Sequence, residues 1–265
     1  MRLHVGTDSL RGDIAAYARR FDMLELLAEK GRLPRVQRLA EMKRAVHERF
    51  VFSLRLPRAV ASLEWNAEAE AAVGYAVEVA DVLGAEFLVL QTLPAVMPSA
   101  RTRRRLIELA ARLPSSRKLC WEPRGLWQEE ESEEVAAEMG AVLVRDVSRE
   151  PAPEGPTLYT RLRALGRSGV SLDAIARTAE AVVSASLACV VIEGDGAARA
   201  ATSLRQVVSE ALEEAGLDAG EGELDEDEDE DEDEVEDEDE DEDEVEDGGE
   251  DEDELDEDED EDEDE

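Results

Sequence analysis

The sequence predicts an α/β protein: a closed (β/α)8 TIM barrel with a shortened connection between strands six and seven, followed by a disordered acidic tail. Three observations carry this. Eight short apolar runs mostly alternate with helical patterns, which implies parallel strands joined by right-handed crossovers. Charged residues gather at the carboxyl ends of those runs, where a barrel of this class builds its site. The charge is also divided unevenly: 39 of the 70 acidic residues and none of the 29 basic ones lie from Leu217 onward. That leaves a body, residues 1–216, with 31 acids against 29 bases, so the formal charge of −41 belongs almost wholly to residues 217–265.

In order, Leu3 to Gly6 is the first strand, and Asp8 or Ser9 is expected to cap a helix over Ile14 to Arg20. Phe21 to Leu27 is strand-like and carries Glu25. Arg35 to Arg49 has its apolar residues at helical spacing. Phe50 to Leu56 is a strand closed by Pro57, and Ala67 to Leu83 is a long helix stopped by Gly84. Phe87 to Gln91 is a continuous apolar run, the mark of a parallel strand covered on both faces. A basic helix, Ala100 to Leu113, ends at Pro114. Strand five is Lys118 to Glu122, and an acidic helix runs from Glu129 to Met139.

Ala141 to Asp146 is strand six. The stretch from Ser148 to Pro156 holds three prolines and has no room for a full helix before strand seven, Thr157 to Leu162. Ser171 caps the next helix. Leu187 to Glu193 is strand eight, and Ala197 to Ala215 is the last helix. Cys120 and Cys189 sit in separate apolar runs without metal-ligand spacing and read as reduced core residues. No apolar run approaches the roughly 18–20 residues of a membrane span. The first residues lack a signal peptide's apolar core, so a cytoplasmic location is expected.

Glu25, Arg55, Gln91, Glu122, Arg124, Asp146, Arg161, Arg163, Glu193 and Asp195 fall at or just past strand ends and are expected to face one mouth. Several chemistries are open to them. Glu25 and Glu122 would suit an acid/base pair, with Arg124 lowering one pKa. Glu25, Glu122, Asp146 and Glu193 would suit a shared hard cation such as Mg²⁺. Arg55, Arg124, Arg161 and Arg163 would suit phosphate or carboxylate, helped by the free N–H groups of Gly194 to Gly196. Pairing of each acid with an arginine, purely to hold loops, is the plainest reading.

Histidine catalysis is nearly excluded, since only His4 and His47 exist and neither lies near a strand's carboxyl end. Lys30, Lys43 and Lys118 are equally ill placed for a Schiff base. These residues assign no cofactor, no metal site and no oligomeric state.

At the strand ends the chain resembles the YecE-like family, also called domain of unknown function 72. The similarity covers roughly residues 1–212. Phe21 to Glu25 with Leu33-Pro34 resembles the family's strand-two motif, and Phe52 to Arg58 its F-S-x-K-x-P-R segment. Leu90 to Pro94 is similar to its Q-L-P-P segment, Glu122 to Trp127 to its E-x-R-x-x-x-W segment, and Thr157 to Leu162 to its Y-x-R-x-H-G segment. The resemblance implies a TIM barrel without an assigned activity. It implies that Gln91, Trp127, Tyr159 and Arg161 join the site with the residues above. The chain departs from the family at the Asn and Tyr that usually follow the Glu25 position, and it carries Arg163-Ala164 where the family has His-Gly. A diverged member with altered or lost activity is expected.

Two functions follow as expectations. One is a small-anion or hydrolytic site at the mouth. The other is a silent barrel whose tail binds basic proteins or confers solubility. The alternating Asp and Glu of the tail cannot bury enough apolar surface to fold. The basic run Arg101, Arg103, Arg104 and Arg105 reads as a solvated face, and the tail would repel a polyanion, so nucleic acid is disfavoured.

Overall fold

The computed structural model describes residues 1–164 and 169–215. Eight parallel strands close on themselves in the order β1 to β8. They are β1 (Arg2–Thr7), β2 (Met23–Leu27), β3 (Val51–Arg55), β4 (Phe87–Gln91), β5 (Lys118–Glu122), β6 (Val142–Arg145), β7 (Thr157–Arg163) and β8 (Leu187–Glu193). The expected disordered tail, 217–265, lies outside the described residues.

Among the described residues eight helices accompany the strands: α1 (Ile14–Ala18), α2 (Val36–Arg44), α3 (Arg58–Ala61), α4 (Ala67–Leu83), α5 (Ala100–Ala110), α6 (Glu129–Met139), α7 (Leu172–Val183) and α8 (Ala197–Glu214). α3 is a single turn after Pro57 that the sequence does not announce. The connection from β6 to β7 carries no helix among its residues, as its three prolines imply. A cleft of about 810 Å³ lies beside it, lined by the ends of α5 and α6 and by Pro153 to Thr157.

Alternation along the strands divides the core in two. Met23, Val51, Phe87, Val89, Cys120, Val144, Tyr159, Leu187, Cys189 and Val191 fill the barrel interior. Their neighbours in sequence, such as Leu24, Phe52, Leu88, Trp121, Leu158 and Val190, face the helices in a larger outer layer. Both cysteines are free and buried. Burial pushes the thiol pKa of each upward, as an inert core residue requires.

Ladder lengths are uneven. β7 and β8 pair from Thr157↔Leu187 to Arg163↔Glu193. β6 pairs with β5 only at Cys120↔Val142 and Trp121↔Leu143, and with β7 only at Val144↔Tyr159 and Arg145↔Thr160. β1 meets β2 at Gly6↔Met23 and Thr7↔Leu24.

The helix starts follow local chemistry, with one correction. Asp13, and neither Asp8 nor Ser9, caps α1 by accepting the amides of Ala15 and Ala16. The chain needs five more residues after the strand before it can turn, which leaves Asp8 at the mouth. Asn66 accepts the Ala69 amide at 2.9 Å and caps α4, and Ser171 accepts that of Ala174 for α7. Asn66→Ala is expected to lower stability by about 1 kcal/mol, read as a shift in the urea midpoint at unchanged slope. A loss below about 0.3 kcal/mol would show that packing of α4 supports its first turn without the cap. Helix ends differ slightly from expectation: α2 stops at Arg44 and α5 at Ala110, each followed by turns before the next strand.

Among the described residues no helix is long and apolar enough to cross a membrane.

Candidate functional site

Because strand side chains alternate, every second residue near a strand's end projects into the mouth. β2 contributes Glu25, β3 Arg55, β4 Gln91, β5 Glu122, β7 Arg161 and Arg163, and β8 Glu193. On β1 the inward set His4 and Gly6 continues to Asp8, just past the strand.

Arg161 is the centre. Its side chain is fully buried, and three carboxylates surround it. Nη2 donates to both oxygens of Glu25 at 2.6 Å. Nη1 donates to Glu193 Oε1 at 2.9 Å. Nε lies 2.7 Å from Glu122 Oε2, in ion-pair contact without hydrogen-bond alignment. Burial alone would disfavour the charge on Arg161, but Glu25 and Glu122 outweigh it and hold the guanidinium charged.

Arg163 forms a second tier, donating to Glu122 Oε1 at 2.6 Å and to Glu193 Oε2 at 2.9 Å. Gln91 Nε2 donates to Glu122 Oε2 at 2.8 Å. Burial would raise the Glu122 carboxyl, yet Arg161 and Arg163 together hold it below the ordinary 4.5. Beneath this tier Tyr159 donates to Glu25 Oε2 at 2.7 Å and lies 2.9 Å from Ser53 Oγ, inside the barrel. Burial, reinforced by Glu25, pushes its phenol well above the ordinary 10. Tyr159 is therefore a neutral donor to Glu25 and stands below the open mouth.

The remaining charged groups are held loosely. Arg55 Nε is 3.8 Å from Glu25 Oε1, and its Nη1 is 4.0 Å from Asp8 Oδ2. Arg124 Nη1 is 3.7 Å from Glu122 Oε1, and its side chain is 43% exposed. These separations exceed hydrogen-bonding range. Burial, followed by the charge of Glu193, lifts Asp8 above its ordinary 3.8.

The loop after β5 shapes one wall. Gly125 has φ +98°, and a Cβ there would lie 2.6 Å from the Pro94 carbonyl oxygen, so only glycine lets this loop pass the loop after β4. Trp127 donates Nε1–H to Val96 O at 3.1 Å and packs edge-on against Trp121 with ring centres 5.0 Å apart. It braces the wall. A cavity of about 380 Å³ opens between the β5 and β6 ends, lined in part by Glu122, Arg124, Trp127, Asp146 and Arg163.

Asp146 lines that cavity but is already occupied: its Oδ1 accepts Ser148 Oγ at 2.5 Å, and Oδ2 lies 3.4 Å from Arg149 Nε. Gly194, with φ +104°, turns the chain after β8. The last helix starts at Gly196 without a side-chain cap.

Glu25, Glu122 and Glu193 thus converge, as the strand ends suggested, but on a guanidinium. Among the described residues no group of three or more His, Cys, Asp or Glu is arranged to hold a metal ion; Arg161 takes the position at which three carboxylates would otherwise share a cation. Asp146 stands apart from them. Asp8 is the mouth residue that the sequence reading assigned elsewhere. The period-two series His4, Gly6, Asp8 was the signal for it, masked by Asp8's good character as a helix cap.

Comparison with known proteins adds to this geometry. The profile of a family described as protein of unknown function DUF72 matches residues 5–222. Among solved structures, a DUF72 family protein from Enterococcus faecalis is 19% identical with a TM-score of 0.64, over 78% of this chain and 98% of that one. One from Thermotoga maritima is 16% identical with a TM-score of 0.63, over 80% and 100%. Endonuclease IV from Thermus thermophilus aligns at 17% identity with a TM-score of 0.52, over 80% and 99%. At these identities the likeness is one of fold. Among curated proteins, none matches this chain.

Proposed function

The chain belongs to the DUF72 family, and on that premise we propose that its barrel mouth binds a small anion, phosphate or carboxylate, on Arg55 and Arg124. One observation carries this reading. Arg161 and Arg163 spend their donors on carboxylates at 2.6–2.9 Å, whereas Arg55 and Arg124 reach their nearest carboxylates only at 3.7–4.0 Å. Guanidinium forks with free N–H groups suit planar or tetrahedral oxyanions. Arg124 lines the 380 Å³ cavity together with Arg163, a space of a size for a small molecule.

Hydrolysis through Glu25 and Glu122 as acid and base is the weaker form of this proposal. A carboxylate held ionised by two arginines is a poor proton donor, and Glu25 is bonded on both oxygens by Arg161. The two serve better as the fixed frame that aims Arg161 and Arg163.

The test is thermal unfolding of the full chain in inorganic phosphate. A ligand at about 100 times its Kd stabilises a fold by about 2.7 kcal/mol. Phosphate is expected to raise the midpoint of the wild type, and the increase is expected to vanish in Arg55→Ala/Arg124→Ala. An equal increase in both proteins would remove the site from the mouth. No increase in either, across phosphate and small carboxylates, would leave the mouth as a structural ion network. Interest would then pass to the acidic tail and to salt-dependent binding of basic proteins.

A further inference from the structure

We propose that Asp8 is the group at the mouth that exchanges a proton with, or on account of, the anion held by Arg55. This rests on the anion-binding reading above and adds to it a residue and a direction of proton flow.

The geometry separates Asp8 from every other mouth carboxylate. Glu25, Glu122 and Glu193 each accept hydrogen bonds from Arg161 or Arg163 at 2.6–2.9 Å. Among the described residues Asp8 makes no side-chain hydrogen bond, and Arg55 is the one cationic side chain within reach, at 4.0 Å. It is still 30% exposed, so a ligand can approach it.

The groups facing Asp8 come from four strands: Glu25 on β2, Arg55 on β3, Arg161 on β7 and Glu193 on β8. Glu193 and Glu25 weigh on Asp8, and Arg55, followed by Arg161, opposes them. Burial adds to this, and the carboxyl stands above its ordinary 3.8.

An anion arriving at Arg55 places further negative charge beside Asp8 and takes up the guanidinium that had opposed it. Both effects favour the neutral carboxyl. Binding should therefore draw one proton from solvent onto Asp8. That proton is then positioned for transfer to a ligand oxygen, leaving Asp8 as a carboxylate facing Arg55, with no change in the total number of protons. The sign of linkage is fixed: anion affinity rises as pH falls toward the raised Asp8 pKa.

Sulfate is the probe, because it does not titrate near neutrality and any proton taken up belongs to the protein. Calorimetric titration of the full chain with sulfate, in buffers of differing ionisation heat at about pH 5 and about pH 8, measures that uptake. The wild type is expected to take up protons on binding at the lower pH and to bind more weakly at the higher. Asp8→Asn is expected to lose the uptake. It should also bind sulfate about tenfold more tightly than the wild type at the higher pH, because a like charge a few ångströms away is gone. Asp8→Ser, which cannot ionise either, should behave the same way.

Unchanged uptake in Asp8→Asn and Asp8→Ser would overturn the assignment while leaving the anion site in place. Sulfate that fails to bind the wild type would overturn the assignment and the anion site together.

Discussion

Arg161→Met is expected to destabilise the fold by about 3–5 kcal/mol at neutral pH. The substitution preserves most of the side chain's length and removes its charge. It leaves Glu25 and Glu122, 1% and 5% exposed, facing each other without the cation between them. Breaking a buried pair from one side costs the full desolvation of what remains, which is far more than the net value of the intact pair. Urea unfolding at neutral pH would measure the loss, and a value under about 1 kcal/mol would show that Arg161 is not the centre of the network.

The pH dependence should reverse as well. In the wild type the Glu122 carboxyl is held below 4.5 in the folded state. The stability it contributes is present above that ordinary value and is lost as pH falls through the lower, folded one. In Arg161→Met burial acts on Glu122 with its largest opposing charge removed, so the variant should recover stability as the medium is acidified from neutrality. Replacing Glu25 and Glu122 by leucine in the same variant should restore much of the loss, since an apolar core can match a buried ion cluster.

Gly6→Ala is expected to cost about 3 kcal/mol or more, at the upper end of what overpacking does. A Cβ on Gly6 would lie 1.9 Å from the Met23 carbonyl oxygen and 2.5 Å from its carbon. Both are backbone atoms and cannot rotate away. The carbonyl is also pinned, because Tyr17 donates to it at 2.7 Å. The strands can respond only by separating, and Gly6↔Met23 is one of the two pairs that join β1 to β2. For a body of this size the melting temperature should fall by about 6–12 °C. A fall of less than about 2 °C would mean that the two strands can part without opening the barrel.

The strands were legible because the buried ones are continuous apolar runs. β4, β5 and β8 span the residues that their composition marks, Phe87 to Gln91, Lys118 to Glu122 and Leu187 to Glu193. Helices with a strong end signal were equally plain, as with Gly84 after α4. α3 was not, because a single turn after a proline leaves no periodic pattern.

The site was half legible. Position along a strand told which residues reach the mouth, and period two told which face they share. Neither tells how charges pair across the barrel. That Glu25 on β2 and Arg161 on β7 meet at 2.6 Å is a property of closure, not of any local stretch. The distinction between arginines already spent and arginines still open, on which the proposed function turns, is likewise visible only in three dimensions.

The short ladders of β6 give the mouth a second meaning. β6 is the shortest strand, joined to each neighbour by two pairs, and no helix closes the chain behind it before β7. It is the seam of the barrel, where amide exchange should show the earliest opening. Glu122 on β5 bonds to Arg163 and lies against Arg161, both on β7, so the charged cluster reaches over β6 and fastens together the strands on either side of it. A ligand that drew Arg163 away from Glu122 would unfasten that clasp. Occupancy of the mouth would then be felt as a change in how readily the barrel parts along one edge.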